Sequence, residues 1–256
     1  MPDFLSTGSQ TTYDRYGRKH PYVKPEKKHR DYWYLAFGLL FAATAEVLDG
    51  HILGLVNGSL TISQFGANSL ATLSHAHATG YSQGANSVGG DMTPAEAQEY
   101  TRAVMIDQAI FLNGFLNQLE DKDPRYVKTL EELYSDLGTE EEIMARVKDG
   151  SVMPPAHIED SGSEYYDEHA LQQRMRLYNE RVRGTANWGA VEMLAPWEEI
   201  HWVLGDNEDH CQDCPRIARK TYRKDTLPGV PGSGFTECLV WCRCELQLDD
   251  GTVIQF

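Results

Sequence analysis

His210-Cys211-Gln212-Asp213-Cys214 and, further on, Cys238-Leu239-Val240-Trp241-Cys242-Arg243-Cys244 hold all five cysteines of a 256-residue chain. The pattern is C-x2-C, a gap of 23 residues, then C-x3-C-x-C, with His210 directly before the first pair. A C-x2-C turn brings two thiolates to one ion while backbone amides point at the sulfurs. A second ligand group on a hairpin then completes a tetrahedral site. On a strand, Cys242 and Cys244 face the same side and both aim at the ion, and Cys238 stands close enough to replace either. Tetrahedral zinc takes four ligands, whereas five thiols and His210 offer six, so the spare ligand stays open. Thiolate-rich sites are mostly closed and structural, and a module of about 50 residues has too small a core to stand without such a staple. Structural zinc is therefore the expectation, with disulfides or free thiols as the alternatives.

Around this window the chain changes character. Leu227 to Gly234 is a Pro/Gly loop, and Cys242 to Leu248, Asp249-Asp250-Gly251 and Thr252 to Phe256 read as a β-hairpin with a Gly-containing turn. Upstream the periodicity is helical. From Asp31 to about Gly54, Leu35, Leu39, Leu40, Ala43, Val47 and Leu48 recur at spacings of three and four, a face wide enough to be mostly buried. A second helix starts near Ser63, taken as its N-cap, carries Phe65, Leu70 and Leu73, and fades between Gly80 and Gly90. Thr93-Pro94-Ala95-Glu96 opens a third, with Pro at the first helical position and Glu three residues after the Thr. It ends near Asp121. Shorter helices are expected over 124–137 and from Thr139, then a linker from Gly150 to Tyr166. An Arg-rich helix follows from Asp167 to Gly184.

Charge divides the chain as sharply. Lys plus Arg number 23 against 38 Asp plus Glu, a net −15. Residues 1–30 carry seven bases (Arg15, Arg18, Lys19, Lys24, Lys27, Lys28, Arg30) and three acids (Asp3, Asp14, Glu26), so this arm is +4 and the remainder −19. The arm is polar, Pro-punctuated and Tyr-interleaved, which suits an extended segment that lies on a partner. A basic run, Arg216 to Lys224, follows the first cysteine pair and reads as a solvated helix face, because acids flank it on both sides. The longest charge-free apolar run, Tyr32 to Ala45, is shorter than the roughly 20 residues a spanning helix needs, and no cleavage site precedes Glu46. A soluble protein made inside the cell, with no membrane partner, is expected.

Enzyme motifs are weak. Gly80-Tyr81-Ser82-Gln83-Gly84 fits G-x-S-x-G, but it trails a helix where a nucleophile elbow needs a strand leading in. His75 and His77 point to different faces of a helix, so surface or core histidines are expected. Glu198 and His201 have di-iron spacing without the second pair such a site requires. No catalytic residue is assigned. A metallohydrolase using Glu198 or His210 at an open zinc has little support.

The terminal signature resembles a known family. Trp202-Val203-Leu204-Gly205-Asp206, Asp209-His210-Cys211-Gln212-Asp213-Cys214, Leu227-Pro228-Gly229, Gly232-Ser233-Gly234, Cys238 and Cys242-Arg243-Cys244 are similar to the C-terminal signature of head morphogenesis, or minor head, proteins of tailed bacteriophages. Arg174 to Gly184 and the helices before it resemble that family's helical body, so the likeness covers roughly residues 35–248. It implies a low-copy structural protein of the virion, associated with portal and capsid shell, whose metal is bound among Cys211, Cys214, Cys238, Cys242 and Cys244. Many members have His-Pro before the Cys-Arg-Cys where this chain has Cys238, which leaves the fourth ligand open. Some members append an enzymatic domain such as an ADP-ribosyltransferase, and none is expected beyond Phe256.

The expected architecture is thus mainly α: an extended basic arm (1–30), a helical body (31–199) and a small zinc-stabilised β-hairpin module (200–256). The expected role is structural, in a phage head made in the bacterial cytoplasm, with portal or major capsid protein as partner. The arm would contact a neighbouring subunit or DNA. The alternative is a zinc-ribbon nucleic-acid-binding protein that uses the arm and Arg216 to Lys224.

Overall fold

In the computed structural model of the chain, the described residues are 11–13, 19–21, 27–120, 168–205 and 210–254. They are mainly helical. The chain runs β1 (Thr11–Tyr13), β2 (Lys19–Pro21), α1 (Lys27–Val56), α2 (Ile62–Ser87), α3 (Pro94–Glu120), α4 (Glu168–Met193), β3 (Ile200–Val203), α5 (Asp213–Ile217), β4 (Thr221–Tyr222), a 3-10 turn (Leu239–Trp241) and β5 (Glu245–Leu248). The helices expected over 124–137 and from Thr139, and the linker from Gly150, lie outside the described residues.

The chain folds as two compact units. One comprises Leu39–Thr79 and Ala95–Val182. Its core is a continuous apolar cluster: Leu48, Ile52 and Leu55 of α1, Phe65 and Leu73 of α2, Leu112 and Leu116 of α3, and Leu171 and Met175 of α4, with their neighbours. Each such side chain contributes about 1.5–3 kcal/mol on leaving water. Thr61 and Gln64 exchange hydrogen bonds at the start of α2 (Thr61 N–H to Gln64 Oε1, 3.0 Å; Gln64 N–H to Thr61 Oγ1, 3.1 Å). This capping box puts the N-cap at Thr61 rather than at Ser63.

A polar layer crosses the same core. His77 of α2 is fully buried and hydrogen-bonded to Gln108 of α3 at 3.1 Å, and Gln108 also donates to the Tyr178 carbonyl of α4 at 3.4 Å. His75 is exposed, so the two histidines do face apart. The arginines of α4 divide their work. Arg174 is buried over the Phe115 and Tyr178 rings, Arg181 pairs with Asp107 at 3.3 Å beneath Phe111, and Arg176 reaches Glu180 one turn on.

The other unit comprises Met1–Gly38, Gly80–Pro94 and Arg183–Phe256. Here α2 and α4 meet backbone to backbone. A Cβ on Gly84 would lie 1.8 Å from the Ala186 carbonyl oxygen, and one on Gly189 would lie 2.1 Å from that of Tyr81. Only hydrogen fits at those positions. Ser82 is therefore a helical residue inside this crossing, buried and donating to the Met92 carbonyl at 2.8 Å, and no nucleophile elbow exists. α2 ends at Ser87, inside the Gly-rich stretch where it is expected to fade, and Gly84 within that last part of the helix is a packing contact. By contrast, α4 continues past Gly184 to Met193, because Gly184 is where the loop at Gly232 presses on it.

Three further expectations are met in part or corrected. β5 pairs along its length with β3 (Ile200 opposite Leu248, Val203 opposite Glu245), giving a sheet of order β4-β3-β5. The turn at Gly251 (φ +77°) brings the chain back along β5, where Leu248 N–H bonds to the Thr252 carbonyl (2.9 Å), Ile254 N–H bonds to that of Leu246 (2.9 Å) and Gln247 bridges Val253, so the expected hairpin forms at the edge of that sheet. The basic run is not one helix face. α5 ends at Ile217, and Thr221–Tyr222 is the edge strand β4. Finally, α1 buries Phe37, Leu48, Ile52 and Leu55 but leaves Leu35, Leu39 and Val47 exposed, since its apolar residues encircle it and the core covers one side. In the arm, β1 and β2 pair antiparallel, Thr12 opposite His20.

Candidate metal centre

Each cysteine is set by a short local structure. Cys211 precedes α5 and Cys214 lies within it, one turn on. Cys238 opens the 3-10 turn, Cys242 closes it, and Cys244 immediately precedes β5. The turn is tight: Leu239 N–H bonds to the Thr236 carbonyl (2.7 Å) and Trp241 N–H to that of Cys238 (3.0 Å). Leu239 takes φ +50°, a left-handed conformation that a non-glycine residue adopts at a cost, held here by the residues on either side.

Two carboxylates clasp the cysteine-bearing segments together. Gln212 N–H donates to Glu237 at 3.0 Å, and Glu237 N–H donates to Asp213 at 3.1 Å. Arg216 pairs with Asp213 from outside. The second segment is fixed to α4, where the Arg183 guanidinium donates to the carbonyls of Val240 (2.9 Å) and Cys242 (3.2 Å). Asn187 donates to the Pro231 carbonyl at 2.9 Å, and Gly205 lies so close to the Arg243 carbonyl that a Cβ would clash at 2.4 Å. None of these supporting residues stands out in the sequence. Asp213 and Glu237 resemble any loop carboxylates, and Arg183 carries no mark that separates it from its helical neighbours.

The sulfurs converge. Cys211 and Cys214 are 3.3 Å apart, Cys211 and Cys238 3.5 Å, Cys214 and Cys238 3.6 Å, and Cys214 and Cys242 3.7 Å. Two sets of three, Cys211/Cys214/Cys238 and Cys214/Cys242/Cys244, each have all sulfurs within 4.8 Å of one another. Cys214 belongs to both. With Zn–S near 2.3 Å, tetrahedral sulfurs stand about 3.8 Å apart, so the cluster is compatible with a metal such as zinc. His210 belongs to neither set.

Four of the thiols are shifted, in opposite directions. Burial, then hydrogen bonding to Cys211 and Cys244, pushes the Cys214 thiol up. The bond from Cys242 to Cys244, then burial, does the same to Cys242. Against burial, the Cys214 backbone and thiol hold Cys211 below the ordinary thiol range. Cys244 is held lowest, at about 5, first by the Cys242 thiol and, against burial, by the Trp202 indole and the Gly205 backbone. A divalent cation binds thiolates and would displace the protons of the thiols it takes as ligands.

A second group is looser. His201 Nε2 meets Asp249 at 2.6 Å, with Glu199 beside them, on the exposed side of the sheet. Glu198, paired with His201 in the sequence pattern, is not in that group. No protein-family model, curated protein or solved structure matches this chain.

Proposed function

We propose that the chain is a structural protein of a tailed-phage head, in which a structural zinc pins the C-terminal module and the helical body docks on portal or capsid subunits. The observation that supports this reading best is the convergence of separated signature segments. The two cysteine groups form one cluster, and the loop between them presses Gly232 against Gly184 of α4. The zinc ligands would be four of Cys211, Cys214, Cys238, Cys242 and Cys244, with Cys214 among them because both sets share it. The metal's contribution would be cohesion, since it would tie the segment of Cys211 and Cys214 to that of Cys238, Cys242 and Cys244. The basic arm would lie on a neighbouring subunit.

Mass spectrometry of purified phage particles carrying this gene tests the role. The chain is expected in the particle at low copy, and deleting the gene is expected to give defective heads. Particles that lack the chain and assemble normally without it would overturn the reading.

One observation favours a second reading. Arg219, Lys220 and Arg223 are exposed beside the cysteine cluster, as a nucleic-acid-binding zinc ribbon would require. Under that reading, duplex DNA affinity falls steeply with salt, with a slope of about −0.9 per neutralised phosphate. A flat salt response excludes it.

A further inference from the structure

Among the described residues, nothing covers one seam of helix α1. Tyr32, Leu35, Leu39, Ala42, Leu53 and Val56, with Glu46 and Asp49 between, follow a strict three-four spacing, and all eight are exposed. Tyr32, Leu35 and Leu39 keep 64%, 65% and 64% of their surface, and Leu53 keeps 49%. This is the a/d spacing of a coiled coil, with two carboxylates at its middle. From Tyr32 to Val56 the segment is 25 residues long, about 37 Å at 1.5 Å per residue.

Three kinds of occupant would cover an apolar seam, and the two acids choose among them. A bilayer is disfavoured although the helix is long and apolar enough to cross one, with a mean hydropathy of 1.6. It would have to take Glu46 and Asp49 into hydrocarbon at about 2.5–3.5 kcal/mol for an acid at mid-depth. The opposite face, Leu48, Ile52 and Leu55, is also already committed to a protein core. A second copy fares no better. In parallel it sets Glu46 against Glu46. Antiparallel, with Tyr32 against Val56, it buries Glu46 on Ala42 and Asp49 on Leu39 with no cation in reach. A helix with apolar residues at both ends of its seam and Lys or Arg in the middle satisfies every position.

We propose that the exposed seam of α1 docks an amphipathic helix of another protein, with basic side chains opposite Glu46 and Asp49. The apolar ends supply the attraction and the acid pair sets the register, as polar seam positions do in coiled coils.

The test uses the full chain and two synthetic helical peptides of about four heptads, Leu at the a and d positions, one with two central Lys and its twin with two central Glu. Fluorescence anisotropy is expected to show the Lys-centred peptide binding at least about tenfold more tightly than its twin. The E46K/D49K variant, altered only at exposed sites and checked by circular dichroism, is expected to reverse that preference. Equal binding of the two peptides, or a preference that survives the charge reversal, overturns the proposal. So does self-association that the Lys-centred peptide fails to displace, or flotation of the chain with phosphatidylcholine vesicles.

Discussion

His77 shows how a single buried side chain couples this fold to pH. Burial first, then the positive charge of Arg181, holds its pKa down to about 3, far below the ordinary 6.5. The folded protein therefore keeps the imidazole neutral, and the unfolded chain alone takes up a proton as pH falls below about 6.5. Stability is fully present above that value and falls toward pH 3, at up to about 1.4 kcal/mol per pH unit. By pH 5 this one residue is expected to have cost about 2 kcal/mol. Urea unfolding at stepped pH measures it, and His77→Gln, which hydrogen-bonds without titrating in this range, should flatten that part of the slope. A slope unchanged in the variant would show that other groups carry the acid sensitivity. From the sequence, His77 is separable from His75 by helical geometry alone. Its depressed pKa is not legible there, because Gln108 and Arg181 are distant in sequence and near only in the fold.

Among the elements, glycine means opposite things in α1 and α2. Gly38 has nothing within 4 Å of where a methyl group would stand, whereas Gly84 would drive a methyl into the Ala186 carbonyl oxygen at 1.8 Å. Gly38→Ala is expected to stabilise the protein by about 0.5–1 kcal/mol, by helix propensity and reduced freedom of the unfolded chain. Gly84→Ala should cost about 1–3 kcal/mol or more, since two backbones must separate. Thermal and denaturant unfolding of the two variants reads both signs. On a helical wheel the two residues look alike, and the Gly-rich end of α2 reads as a helix that fades. Only the backbone of α4 passing at that point turns it into a packing face. The Arg-rich α4 is legible as a helix for the same reason that its arginines are not legible as individuals. Periodicity specifies a face, while the partners Asp107, Phe115 and the Val240 carbonyl come from other segments.

At the scale of the whole molecule, the two units differ in what adds to burial. One has a continuous apolar core contributed by four helices, and the other combines buried apolar residues such as Ile200, Trp202, Leu246 and Leu248 with a cluster of five thiols. Removing the metal is therefore expected to act unevenly. In hydrogen exchange, a chelator should strip protection from residues 200–254 while amides around Leu48, Leu73 and Leu112 keep theirs. Replacing Cys211 and Cys214 by Ser should reproduce that pattern and lose one zinc per chain by elemental analysis. Unchanged metal content would refute the zinc assignment. The sequence alone determined the four long helices, the place of the cysteines and the split between a basic arm and an acidic remainder, because periodicity, spacing and charge are properties of the chain read in order. The tertiary structure decided that β5 joins β3, that Cys214 is shared by both sets of sulfurs, that Asp213 and Glu237 clasp them, and that the described residues leave one seam of α1 uncovered. Each of these depends on which segments meet, and distance along a sequence carries no information about that.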